Sequence, residues 1–231
     1  MNQINNTSSF SEETFKLLKA IMNDIQAEPG TTLFWEGDEA DKLYYVVEGR
    51  VKITKSSDEG RQFIIDIYHT GDMFGQIDPN QTSKHWCNAE VMEPATIGII
   101  PKKELMALLR QNGEAAVEVM NWMGLAHRMT LSKLRDLMMF GKSGALCSLL
   151  IRLNNTYGEA HPQGSLIAKR LTNLELADMI GATRESVNRM LSDFKSRGII
   201  ANDGGYIVVK DLQALKDTCH CENCPAEICR I

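Results

Sequence analysis

The sequence predicts an α+β protein in three consecutive parts: an antiparallel β-roll, a long helix, and a C-terminal winged helix-turn-helix. Three observations predict it. Between Glu28 and about Ile100, the β-rich runs LYYVV, RVKIT and FIIDIY alternate with the turn signals EG, DEG and TGD, a spacing that suits a roll or barrel. From Glu114, the run EAAVEVMNWMGLAHRMTLSKLRDLMMF has no proline and is rich in helix formers. Further on, LTNLELADMIGATRESVNRMLSDFKSRGII holds two cappable helices joined at a glycine, and GIIANDGGYIVV follows as a hairpin.

Taken in order, the first ten residues are polar and predicted to be mobile, and a short helix is predicted from Glu12 to Asp24. The β-roll domain is assigned to residues 1–112, the dimerisation helix to 113–141 and the winged helix-turn-helix to 142–215. A cysteine-rich tail fills 216–231. Within the long helix, Ala116, Met120, Met123, His127, Thr130, Leu134 and Leu137 recur at alternating spacings of four and three. That is an a/d seam, the pattern of a helix that pairs with a copy of itself, so a homodimer is expected. Gly141 to Gly144 (GKSG) ends or bends the helix. The same GKS is no phosphate-binding loop, because the glycine that motif needs is Asp136 here.

Composition narrows the classes. At 231 residues, 43% apolar and 24% charged, the chain is an ordinary globular protein. MNQINNTSSFSEETF has no apolar run behind a basic start, and no later run reaches the length of a membrane span. A cytoplasmic location without a membrane partner is expected, and thiols stay reduced there. Cys87 and Cys147 sit in apolar settings and are expected to be buried. The net charge of −5 gives no global sign of a nucleic-acid partner. Ser165 to Ile200, with six cations against four anions, is only mildly basic, so the case for DNA rests on geometry.

That geometry is specific. Thr172 caps a helix, with Glu175 completing a capping box; the helix stops at Gly181, and Thr183 caps a second helix. At about 100° per residue from Arg184, Asn188 falls near ~40°, Glu185 near ~100° and Arg189 near ~140°. Val187, Met190 and Leu191 take the inward side. Two arginines, a glutamate and an asparagine on one exposed arc suit a major groove: arginine pairs with guanine O6 and N7, and glutamate accepts from cytosine N4. Double-stranded DNA is the expected partner, with GIIANDGGYIVV as the wing.

From about residue 15 to 210 these features resemble the Crp/Fnr family of transcription regulators. The roll segments PGTTLFWEGD, YYVVEGRVKI and TGDMFG, the long helix and TRESVNR fall in that family's order. The resemblance implies a cyclic-nucleotide-binding-like jelly roll and Arg184, Glu185 and Arg189 as base readers, flanked by Thr183 and Asn188. It also implies a TGTGA-N6-TCACA type of palindrome and contact with RNA polymerase. In members that bind cyclic AMP, a Gly-Glu and an Arg-Ser pair hold the ligand; here these positions read Gly75-Gln76 and Ser83-Lys84. The substitutions remove a charged acceptor and the planar guanidinium fork, which weakens a cyclic-nucleotide reading.

The tail, CHCENCPAEICRI, carries four of the six cysteines. Thiolates at this spacing suit zinc and iron–sulfur clusters alike. Cys221-x2-Cys224-x4-Cys229 resembles the C-terminal cluster motif of the Bacillus-type Fnr subgroup. That resemblance implies a [4Fe–4S] cluster, one per subunit, held by Cys221, Cys224, Cys229 and, by position, Asp136, with Cys219 as an alternative fourth ligand. Such a set would tie the tail to the dimer helix, and its loss in oxygen would free the tail. The expected function is therefore an oxygen-sensing regulator of anaerobic metabolism. The alternative is a Crp-like regulator gated by a small ligand in the roll, with structural zinc in the tail. No enzyme is expected: the thiols lack a βαβ setting, and the roll lacks clustered His and Glu ligands.

Overall fold

The computed structural model describes residues 5–60, 62–76 and 83–231. It divides into two compact units, one ending at Ala126 and the other running from His127 to Ile231.

The first unit opens with α1 (Glu12–Ala20), capped by the Ser11 side chain on the Thr14 amide. Eight strands follow: β1 (Asn23–Ala27), β2 (Thr32–Phe34), β3 (Lys42–Glu48), β4 (Arg50–Ser56), β5 (Gln62–His69), β6 (Met73–Gly75), β7 (Asn88–Val91) and β8 (Ala95–Pro101). Then comes α2 (Lys102–Gln111). The strands form two antiparallel sheets, ordered β1-β8-β3-β6 and β2-β7-β4-β5. Alternation along them sends Val46, Phe74 and Ile97 from one sheet, and Val51, Ala89 and Val91 from the other, into one apolar cluster. Leu18, Leu105, Val119 and Trp122 of the helices gather in a second cluster with Leu43, Met73 and Ile100.

Two expectations are corrected here. The first helix ends at Ala20 instead of Asp24, because Asn23 and Asp24 begin β1, paired with Ile99 and Gly98 of β8. The N-terminal segment is also not loose throughout. Asn6 and Thr7 are buried, and Asn6 exchanges hydrogen bonds with the Met73 backbone (Nδ2 to O and N to Oδ1, both 2.8 Å).

Helix α3 (Gly113–Tyr157) carries a break at Gly141, where φ is 60° and ψ −163°. The second unit continues with β9 (Gly158–His161), β10 (Gly164–Ile167), α4 (Asn173–Ile180), α5 (Arg184–Ser196), β11 (Ile200–Asp203), β12 (Tyr206–Val209) and α6 (Leu212–Thr218). Its sheet has the order β11-β12-β10-β9. Leu146, Leu150, Leu153, Ile167, Leu176, Val187 and Phe194 are fully buried there. The β9–β10 hairpin and α6 are additions to the sequence reading. Cys87 and Cys147 are both buried. Among the described residues, no helix is long and apolar enough to cross a membrane.

Candidate functional site

The two helices of the second unit are built by their caps. Thr172 accepts from the Glu175 amide at 3.1 Å while the Glu175 carboxylate accepts from the Thr172 amide at 2.7 Å, closing the capping box. Gly181 ends α4 in the left-handed conformation (φ 61°), which glycine adopts without a Cβ clash. Thr183 then caps α5 through the Ser186 amide at 3.2 Å. On α5, Val187, Leu191 and Phe194 are buried, while Arg184, Glu185, Asn188 and Arg189 are all exposed, as is Thr183. Asn188 Oδ1 accepts from Asn173 Nδ2 at 3.1 Å, which turns its own amide N–H donors outward.

The wing is a two-residue hairpin: Asp203 pairs with Tyr206 across Gly204 and Gly205, both at positive φ (56° and 91°), as a primed turn demands. Arg170 braces it, donating to Gly204 O at 3.0 Å and lying 5.0 Å over the Tyr206 ring. Sequence reasoning passed over this residue; only its charge beside a turn-forming Gly-Gly could have drawn attention to it.

Along α3, the chain itself leaves much of the expected seam uncovered. Met120 is 65%, Met123 40% and Leu134 47% exposed; His127 and Thr130 are also exposed, and Ala116 and Leu137 are half-buried. Val117, Leu131 and Met138 are exposed as well, so the open apolar stripe follows 117, 120, 124, 127, 131, 134 and 138, sharing three positions with the expected seam. The buried apolar residues of this stretch, Ala115, Val119, Trp122 and Met129, are different ones.

The tail follows α6 directly. Cys219 is the buried C-cap of that helix, its thiol donating to Lys216 O at 3.6 Å. His220 and Asn223 take positive φ (45° and 52°), curling the Cys221–Cys224 loop so that the Asn223 amide donates to Cys221 Sγ at 3.4 Å. Pinning contacts reach this tail from α3. Arg135 pairs with Glu222 inside the loop. Arg152 Nη1 donates to Ile228 O (2.8 Å), Asn155 Nδ2 to Cys229 O (2.7 Å), and the Ile231 amide to Thr156 Oγ1 (3.0 Å).

Asp136 is buried beside this tail. Its Oδ1 accepts from Arg135 Nη2 at 2.5 Å, and its Oδ2 from Ser148 and, at 3.2 Å, from Arg152 Nη2. Burial pushes the Cys229 thiol up; Arg152 opposes this, while Cys221, Cys224 and Asp136 add to it. Arg135 and Arg152, which both bond Asp136, also reach the tail, at Glu222 and at Ile228 O. The Cys219 thiol is pushed up to about 11, by burial and then by Cys221 and Asp136. The donor chemistry suits a thiophilic metal or an iron–sulfur group. The shell is not closed, however: among the described residues, no three His, Cys, Asp or Glu side chains stand ready to hold a metal ion.

In the roll, Gln76 Oε1 and Ser83 Oγ are buried without a hydrogen-bond partner among the described residues, as is His85 Nε2. The His85 ring stacks on Phe34 at 3.6 Å, and burial lowers its pKa. Residues 77–82, between these side chains, lie outside the described residues.

A roll, a long helix and a winged helix-turn-helix with an arginine-bearing second helix define the class of DNA-binding transcription regulators. Residues 24–112 match the cyclic nucleotide-binding domain and residues 144–218 the Crp-like helix-turn-helix domain. The chain is 39% identical over 223 residues to the anaerobic regulatory protein of Bacillus subtilis, covering 96% of this chain and 94% of that protein. It is 27% identical to a CRP-like cAMP-activated global transcriptional regulator of Mycobacterium tuberculosis, over 80% of this chain and 83% of the relative. A solved structure of a CooA mutant from Carboxydothermus hydrogenoformans shares the fold, with a TM-score of 0.75 at 20% identity, covering 94% of this chain and all of that one. The chain belongs to the Crp/Fnr family of transcription regulators.

Proposed function

We propose that the chain is an oxygen-responsive regulator of anaerobic metabolism, acting in the cytoplasm as a homodimer on a TGTGA-N6-TCACA type of palindrome. In this reading a [4Fe–4S] cluster, one per subunit, is held by Cys221, Cys224, Cys229 and Asp136, with Cys219 as the alternative fourth ligand. The carrying observation is that the two arginines bonded to Asp136 also hold the cysteine-bearing tail: Arg135 pairs with Glu222, between Cys221 and Cys224, and Arg152 donates to the Ile228 carbonyl beside Cys229. The bound cluster supplies an oxygen-labile metal–sulfur core. The chain's own part is to bring tail and helix together: Arg135 grips the loop at Glu222, and Arg152, Asn155 and Thr156 grip the tail's backbone. The open stripe of α3 suits a second copy, since its three-and-four spacing is that of paired helices. Arg184, Glu185 and Arg189 read bases, Thr183 and Asn188 flank them, and RNA polymerase is the further protein partner. The similarity to the anaerobic regulatory protein of Bacillus subtilis supports the anaerobic assignment.

The test is anaerobic purification with iron and sulfide assays, followed by binding to the palindrome before and after exposure to air. The expected result is a coloured protein with equal iron and sulfide and a loss of DNA affinity in air, both abolished by Cys224→Ser. Arg184→Ala and Arg189→Ala should each weaken specific binding by about 1–3 kcal/mol. A colourless protein holding one zinc per chain would sink the oxygen-sensing reading.

One observation favours a second reading. Gln76 and Ser83 carry orphaned buried oxygens at the positions where the family's ligand contacts fall. A small polar ligand in the roll, with structural zinc in the tail, would satisfy both. Calorimetry with cyclic AMP separates the two: saturable heat supports the second reading, and its absence the first.

A further inference from the structure

Three bonds span the break at Gly141. On its N-terminal side, α3 carries Ser132, Arg135 and Asp136; on its C-terminal side it carries Ser148 and Arg152. Ser148 Oγ donates to Asp136 Oδ2, Arg152 Nη2 donates to the same oxygen at 3.2 Å, and Arg152 Nη2 also reaches Ser132 Oγ at 2.8 Å. Asp136, Ser148 and Arg152 are all buried. A buried carboxylate with both oxygens engaged cannot also serve as a ligand without giving up a partner. Oδ1 is tied to Arg135, the next residue on the same turn, which makes Oδ2 the oxygen free to exchange.

We propose that Asp136 is a two-position toggle. In one position, Oδ2 is clamped by Ser148 and Arg152 across the Gly141 break; in the other, it leaves this clamp to become a metal ligand beside the tail thiols. The proposal rests on the reading that the tail thiols and Asp136 share a metal group. It changes how the signal travels. The tail is fastened by Arg152, Asn155 and Thr156 through its backbone, with no thiol involved, so it stays docked in both states. What changes is the stiffness of the break between the helix that bears Asp136 and the helix that leads into α4 and α5. Ser148 and Arg152 are therefore positioning residues that compete with the metal for one oxygen. Glycine at 141 lets the break bend, since its φ is in the left-handed region.

Cobalt(II) alone, titrated anaerobically into the metal-free full chain, provides the test, because thiolate-to-cobalt absorption reports the site directly. Ser148→Ala removes one competitor for Oδ2 and should bind cobalt about tenfold more tightly than the unaltered chain. The gain should vanish in the Ser148→Ala, Asp136→Asn double variant. Hydrogen exchange gives a readout independent of metal affinity. In the metal-free Ser148→Ala protein, the amides of 141–148 should exchange about tenfold faster while those of Cys229 and Ile231 stay unchanged. Cobalt loading of the unaltered chain should produce the same acceleration. A thiolate band with no tightening in Ser148→Ala overturns the toggle and leaves the thiol site standing. Absence of any thiolate band overturns both.

Discussion

The two ends of the chain are fastened by polar bonds to the body, but the bonds are built the opposite way round. At the N-terminal end, the terminal segment supplies the side chains. Asn6 uses its amide on the Met73 backbone, Thr7 Oγ1 donates to Gly71 O at 2.5 Å, and only the Asn6 amide N–H turns to a body side chain, Asp72 Oδ1, at 2.7 Å. At the C-terminal end, the body supplies them: Arg152, Asn155 and Thr156 bond the backbone of Ile228, Cys229 and Ile231. A segment held by its own side chains has committed them to structure. One held largely by its backbone keeps more of its side chains for other chemistry: the tail spends Glu222 on Arg135 but leaves its thiols uncommitted to the anchoring.

The largest way to break this comparison is Arg152→Ala. Arg152 is buried and makes four bonds, to Ser148, Ile228 O, Ser132 and Asp136, so its loss leaves a buried carboxylate short of a cation and the tail short of an anchor. The expected cost is about 3–5 kcal/mol, a fall in Tm on the order of 10 °C, measured by chemical and thermal unfolding. A cost below about 1 kcal/mol would mean that the tail is not held in this way. Next in size is Asn6→Ala, which orphans the Met73 amide and carbonyl and should cost about 2 kcal/mol. If the inversion is correct, Asn6→Ala leaves cobalt binding at the tail unchanged, since its side chain serves structure alone.

Legibility in the sequence followed the range of the forces involved. The capping box of Thr172 and Glu175, the stop at Gly181 and the cap at Thr183 are local hydrogen bonds, and each stands where the residue types place it. Three of the roll strands, β3, β4 and β5, were readable from the runs LYYVV, RVKIT and FIIDIY. β1 was not: NDIQA buries only Ala27 and owes its conformation to pairing with β8, some seventy residues on. Along α3, two apolar stripes run side by side, and periodicity cannot tell which one the chain's own core takes; Val119, Trp122 and Met129 turn inward and Met120 and Leu134 do not. In the tail, the thiol spacing was plain, but its anchors were not. Arg152, Asn155 and Thr156 in IRLNNTY read as the polar side of a helix, and only tertiary structure brings them to residues 228–231.

The smallest expected effect probes the comparison most finely. Thr156 sits near the end of α3, donating to Arg152 O at 2.9 Å and accepting from the Ile231 amide at 3.0 Å. Thr156→Val keeps the shape and removes both bonds. Because Arg152 O retains its helical partner, the loss should be no more than about 1 kcal/mol. Global unfolding would barely register it, whereas local exchange would. The Ile231 amide should lose protection several-fold, with the Cys229 amide little affected while Asn155 still holds its carbonyl. Adding Asn155→Ala should then release Cys229 and weaken cobalt binding, which neither the single Thr156 variant nor Asn6→Ala does. If the single variant already weakened cobalt binding, Ile231 would be part of the site's support and the fastening would extend beyond Cys229.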